Sequence, residues 1–170
     1  HEIQSDAVAS VECRVPARVI KILFHTRPGT GLAAKFSMQF FMAAALVERK
    51  LGLSQFTDAK VNDPRIRALM ECVTMSAHGD GDNDETPFDF PDVVTVTLKN
   101  GARYSHSVST ARGHADTPLS EAQRLSKFQE CARLALPEDD VRRLSTIIAR
   151  LHEFKELSEL MAILRRATAS

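Results

Sequence analysis

The stretch Leu32 to Leu51, LAAKFSMQFFMAAALVERKL, constrains this chain more than any other, because from Phe40 to Val47 it carries no polar side chain. A helix that is apolar on every side must be buried on every side, so this segment is predicted to be the central helix. It is too short, and too closely flanked by Lys35, Glu48, Arg49 and Lys50, to span a membrane. Ala43, Ala44 and Ala45 let neighbouring backbones approach closely, while Phe36, Phe40 and Phe41 supply bulk. Ser37 is the expected N-cap, and Gly52 is the expected left-handed residue that ends the helix. Lys35 stands at the mouth of this helix, where the helix dipole does not favour a cation. That marks it as a candidate for function.

A chain of 170 residues fits one domain of ordinary size and can bury a real core. Its formal net charge of zero gives no support for nucleic acid or an acidic membrane surface as partner. The three cysteines, Cys13, Cys72 and Cys131, are odd in number and far apart. They are expected to be reduced, buried thiols of a cytoplasmic protein rather than a disulfide framework or a zinc site. No signal peptide or transmembrane segment is visible. Because the first residue is His1 and a strand begins soon after it, we expect the sequence to be part of a longer polypeptide.

Val8 to Val15 alternates, with Val11, Cys13 and Val15 on one face, and is predicted to be a half-buried strand stopped by Pro16. Ala17 to Phe24 is ambiguous between short helix and strand. The loop HTRPGTG follows, and it lacks the Gly-Lys-Ser/Thr half of a phosphate loop. Asp63-Pro64 opens a short helix carrying Ile66, Leu69, Met70 and Val73, after which Val73, Met75 and Ala77 take strand periodicity. Val94, Val96 and Leu98 alternate with threonines, and Asn100-Gly101 predicts a hairpin with a type I′ turn and a return strand from Ala102 to Val108. Ser120 to Gln123 forms a capping box for a helix with Leu125, Phe128 and Ala132 on its buried stripe. Pro137 starts a helix with Val141, Leu144, Ile147, Ile148 and Leu151, and Leu157, Leu160, Met161 and Leu164 mark the last one. The class is therefore α+β: about four strands in a small, mostly antiparallel sheet, packed with a buried helix and followed by a helical C-terminal tail.

No complete catalytic set is present: there is no GxSxG, HExxH, paired CxxC or glycine-rich dinucleotide loop. Asp80, Asp82 and Asp84 mimic the start of an EF-hand loop. However, Glu85 stands where the turn glycine is needed and Pro91 where the bidentate glutamate is, so calcium is not expected. What remains is a set of cations and imidazoles at the ends of elements, namely His25, Arg27, Lys35, Arg112 and His114. As a group they suit an anionic, carboxylate-bearing ligand.

Several blocks in order, PGTGLAAKFSMQFFMAAAL, GLSQFTDAKVNDPRIRALM, VTVTLKNGARYS, RGHADTPLSEAQRLSKF and RLHEFKELSELMAIL, resemble the MmgE/PrpD family. That family includes 2-methylcitrate dehydratase, cis-aconitate decarboxylase and iminodisuccinate epimerase. The resemblance implies that residues 1–116 are the α+β small domain and that residues 117–170 are C-terminal helices. In the family these helices pack onto a separate N-terminal helical domain, absent here. It also implies a lyase or isomerase of di- or tricarboxylic acids that needs no metal or organic cofactor and is commonly a homodimer. The chemistry is proton abstraction α to a carboxylate, with cations stabilising the enediolate-like charge. The main acid and base residues then lie outside this chain, which alone is expected to be inactive. Lys35, Arg112 and His114 match the family pattern and are expected to bind substrate. Phe40 stands where the family commonly has a tyrosine, and Gln39 where proline is frequent. The alternative function on the same fold is a non-catalytic ligand-binding or assembly module.

Overall fold

The computed structural model describes residues 2–79 and 90–167. The chain divides into two compact units, His1–Ala111 and Arg112–Ser170.

The first unit is built on a four-stranded sheet, β1 (Val8–Val15), β2 (Val73–Ala77), β3 (Asp92–Leu98) and β4 (Arg103–Val108), in the order β2-β1-β3-β4. β1 runs parallel to β2, with Val11 opposite Val73, and antiparallel to β3; β3 and β4 are antiparallel. The parallel pair requires a long crossover. It is supplied by α1 (Ala17–Ile22), α2 (Gly31–Ala34), α3 (Met38–Glu48), α4 (Asp58–Val61) and α5 (Pro64–Met70). Val8, Val11, Cys13 and Val15 of β1 are buried on the face that carries the core. On the other face polar groups meet across strands: the Thr95 and Ser105 hydroxyls are 3.0 Å apart, and Arg103 lies 3.8 Å from Glu12. Among the described residues, metal-ligating side chains do not cluster and no helix is long and apolar enough to cross a membrane. The Asp80–Asp84 run lies outside the described residues.

α3 is the central element, packed against α5 and β2, and no residue from Met38 to Glu48 is exposed. Ser37 caps it as expected, its Oγ accepting the Phe40 N–H at 3.1 Å. The Leu32–Leu51 stretch is nevertheless not one helix. It breaks between Ala34 and Met38, and Leu32 (70 % exposed) and Phe36 lie on the surface. Capping explains the break: at an N-cap position Ser37 takes extended backbone, which ends α2 before α3 begins. The C-terminal cap also differs from expectation. Arg49, not Gly52, adopts the left-handed conformation, with φ of 56°, and its guanidinium donates to the Ile3 carbonyl.

The Asn100-Gly101 hairpin is present, but its turn is not type I′. The Gly101 N–H donates to the Leu98 carbonyl (2.9 Å), which closes a turn over Lys99 and Asn100. Asn100 keeps a negative φ and only Gly101, at +85°, is left-handed. This is the three-residue connection whose glycine bulge matches the twist of the strands. Residues 17–22, ambiguous in the sequence, form a helix directly after Pro16.

The second unit holds α6 (Glu121–Ala132), α7 (Glu138–Ala149) and α8 (Ser158–Ala167). The capping box is made: Ser120 Oγ accepts from Gln123 N–H (3.2 Å) and Gln123 Oε1 accepts from Ser120 N–H (2.9 Å). Leu144, Ile147 and Ile163 form a small core with Phe128, Leu136 and Leu160 against it. Arg166 clamps α8 to α7 through both Asp140 oxygens, at 3.0 and 2.7 Å. Several expected core positions are exposed instead, namely Leu125, Ile148, Leu151, Leu157, Met161 and Leu164, whereas Ile163 is buried. Three short helices can share only one seam, and the remaining apolar side chains face outward. Pro137 precedes α7 as its N-cap. Of the cysteines only Cys13 is buried; Cys72 is half-buried and Cys131 exposed, and all three are free.

Candidate functional site

The residues around Lys35 are fixed by the loop His25–Gly31. The Gly31 N–H donates to Asp58 Oδ1 at 2.7 Å. A Cβ on Gly31 would lie 2.2 Å from the Phe56 carbonyl oxygen, so only glycine allows this approach. Pro28 is buried, and its carbonyl accepts from Arg67 Nη1 at 2.9 Å. Thr30 Oγ1 caps α2 through the Ala33 N–H, and the His25 N–H reaches the Phe36 carbonyl at 3.1 Å. The other end of the anchor is secured at α5, whose N-cap Asp63 accepts from the Arg65 backbone and guanidinium. Those bonds hold the Asp63 carboxyl down at about 2.

On this scaffold Lys35 is the residue after α2, exposed, and its ammonium makes no ion pair or hydrogen bond among the described residues. The flanking residues of the same segment line a shallow cleft of about 340 Å3, formed by Phe24, His25, Thr30, Leu32, Ala33 and Phe36. Phe24 (62 % exposed) and Phe36 stack with centroids 6.4 Å apart, and the His25 ring lies 4.3 Å from Phe24. The cleft therefore joins an apolar shelf to one imidazole, and Lys35 is next to Phe36 in the chain. That combination can hold the apolar skeleton of a small acid on the shelf and its carboxylate at the rim. The shelf was missed in the sequence, where Phe36 reads as core bulk. The available signal was its place directly before an N-cap, outside the helix proper.

Arg27, read as another free cation, is instead paired with Glu71. Phe40, where the resemblance implies a tyrosine, is fully buried and packs on Phe56 with centroids 5.6 Å apart. It belongs to the core.

Arg112 and His114 belong to the second unit, in the loop before α6. Gly113, with φ of +96°, turns the chain between them, and its N–H donates to the Thr117 carbonyl at 2.8 Å. His114 Nδ1 lies 3.3 Å from both the Asp116 backbone nitrogen and the Asp116 carboxylate. Both side chains are exposed, and Arg112 has no ion pair among the described residues. Lys35 thus lies in one unit and the Arg112–His114 pair in the other.

Residues 1–153 match the MmgE/PrpD C-terminal domain. The chain is 25 % identical to cis-aconitate decarboxylase of Mus musculus over 164 residues, which is 95 % of the chain and 32 % of that protein. It is 24 % identical to the Homo sapiens cis-aconitate decarboxylase over 169 residues, 96 % of the chain and 33 % of the relative. The Aspergillus terreus cis-aconitate decarboxylase is 24 % identical over 140 residues, 81 % of the chain and 28 % of that protein. The chain spans about a third of the length of these relatives. With the family matching from the first strand to the turn before α8, this chain belongs to the MmgE/PrpD family, of which it is the C-terminal domain.

Proposed function

We propose that this chain supplies one wall of the substrate site of a PrpD-like lyase or isomerase acting on a di- or tricarboxylic acid. In this reading a base on the family's helical domain, outside this chain, removes a proton α to a carboxylate. Lys35 binds a substrate carboxylate and opposes the charge that develops on the enediolate, and Arg112 and His114 of the second unit are read separately as carboxylate-binding residues. Loss of a β-hydroxyl, loss of carbon dioxide or reprotonation would then give dehydration, decarboxylation or epimerisation. The observation that supports the reading is the exposed ammonium of Lys35, unpaired among the described residues and next in the chain to Phe36 of an aromatic cleft, on a segment that close packing at Gly31 holds in place.

The exposed apolar side chains of α7 and α8, among them Ile148, Met161 and Leu164, are read as surface for that helical domain. A homodimer and a cytoplasmic location remain part of the same proposal.

The test is steady-state kinetics on the enzyme with its helical domain, using cis-aconitate and 2-methylcitrate. Lys35→Ala should lower kcat/KM by about tenfold or more, the loss of one charge-assisted bond to a carboxylate. An unchanged kcat/KM excludes Lys35 from the site. The second reading, a ligand-binding or assembly module without catalysis, is favoured by Phe40, which has no hydroxyl to donate a proton. Under it the assembled protein would bind these acids without exchanging their α-protons with solvent.

A further inference from the structure

Several groups at the N-terminal end of α3 are left unanswered by the fold. Of the first N–H groups of this helix, that of Phe40 bonds to Ser37 Oγ and that of Phe41 to the Ser37 carbonyl. No described residue accepts from the N–H of Met38 or of Gln39. Gln39, in the same turn, is 7 % exposed, and its Oε1 is enclosed with no hydrogen-bond partner among the described residues. Lys35, two residues before the cap Ser37, sets an ammonium unpaired among the described residues at the end of the helix that is already positive.

Each of these is unfavourable alone, and one kind of ligand answers them together. Free N–H groups at a helix N-terminus, with the dipole behind them, favour an anion. The same anion offsets the repulsion between the dipole and Lys35, and a carboxamide beside it has an NH2 group to donate. No bond holds the Gln39 carboxamide, so turning it about its soft terminal torsion breaks nothing. Space for a ligand lies next to it: Gln39 lines a cleft of about 330 Å3 together with Thr26, Arg27, Glu71 and Thr74. Arg27 and Glu71 pair with each other, so the positive bias here comes from the helix and not from a side chain of the cleft.

We propose that the N-terminus of α3 binds a carboxylate, held by the Met38 and Gln39 N–H groups and by the Gln39 carboxamide. This rests on the reading of the chain as part of a carboxylic-acid site and deepens it. Gln39 becomes the residue that fixes one carboxylate of the acid, and Lys35 opposes its charge from before the cap. The resemblance implies proline at position 39, and proline offers neither a carboxamide nor an N–H. The donor set at this end of the helix is therefore a point of specificity particular to this chain.

The experiment is calorimetric titration of the protein with its helical domain, using tricarballylate, a tricarboxylate with no hydroxyl to lose, as the probe. The uncharged trimethyl ester is the control and should not bind. Gln39→Leu should weaken binding of the probe about tenfold, the loss of one hydrogen bond to a charged group. The same variant should raise the Tm of the ligand-free protein by about 1–3 °C, because an apolar group replaces an enclosed, unbonded polar one. A merely structural glutamine would move the Tm the other way. Should that variant fail to fold, Gln39→Pro is accepted in the first turn of a helix, removes the N–H as well, and should weaken binding further. The proposal is overturned if the wild type does not bind tricarballylate, if the variants bind it as the wild type does, if the ester binds equally, or if Gln39→Leu lowers the Tm. Lys35→Ala keeps the two readings apart. A loss of kcat/KM in that variant, with Gln39 variants binding normally, removes this inference and leaves the wider reading standing. Binding that depends on Gln39, with kcat/KM unchanged in Lys35→Ala, does the reverse.

Discussion

α3 and α8 are both rich in apolar residues, yet they meet opposite fates. α3 is apolar all round and is enclosed by the elements of its own unit, with β2 and α5 against it. α8 is apolar on two sides. Ile163 and Leu160 face α7, while Leu157, just before the helix, and Met161 and Leu164 are exposed. The first unit has a sheet to supply a broad second layer, whereas the second has three short helices and one small seam. Burial depends on having a partner layer, and apolar sequence does not supply that layer by itself.

This contrast can be tested by substitution, starting where the largest change is expected. Phe40→Ala should cost about 3–5 kcal/mol in denaturant unfolding, because it opens a cavity beside Phe56 in a closed core. A loss below about 1 kcal/mol would mean that α3 is not enclosed. Gly31→Ala should cost about 1–3 kcal/mol, since the new methyl meets backbone at Phe56 rather than a flexible side chain. Its crystal structure should show the His25–Lys35 segment displaced.

Cys13 sharpens the comparison through pH. Burial, and secondarily the Asp92 carboxylate, pushes its thiol up to about 11. The folded state therefore favours the protonated thiol. That contribution is fully present below the ordinary thiol value and is lost as pH rises through about 11. Stability should fall across that alkaline window, and Cys13→Ser should flatten the fall. At neutral pH a thiol reagent should label the exposed Cys131 and leave Cys13 unmodified in the native protein. Met161→Lys should show the smallest effect on stability, within about 0.5 kcal/mol, while reducing self-association in sedimentation. A loss like that of Phe40→Ala would show Met161 to be core.

Local chemistry made much of the fold legible. Ser37, Asp63 and Ser120 all cap the helices they were expected to cap, because a side-chain oxygen bonding an N–H two or three residues on needs nothing from the rest of the chain. The strands at Val8–Val15 and Val73–Ala77 and the Asn100-Gly101 hairpin follow from alternation and turn chemistry. The chain's family was likewise readable in its blocks of sequence. The candidate site was legible only in part: Lys35 was singled out by its unfavourable place at a helix mouth, but nothing local revealed that Phe24 and Phe36 form an open shelf.

Sequence by itself determined where several of the helices and strands begin, which face of β1 is apolar, and that one helix must lie inside. Only tertiary structure decided that Arg27 is neutralised by Glu71, forty-four residues away. It also decided that Arg49 takes the left-handed cap that Gly52 was expected to supply, and that Leu157, Met161 and Leu164 stay uncovered. The physical reason is range. Capping and periodicity act within one or two turns of chain, whereas ion pairing, close approach and burial depend on segments that only the folded chain brings together.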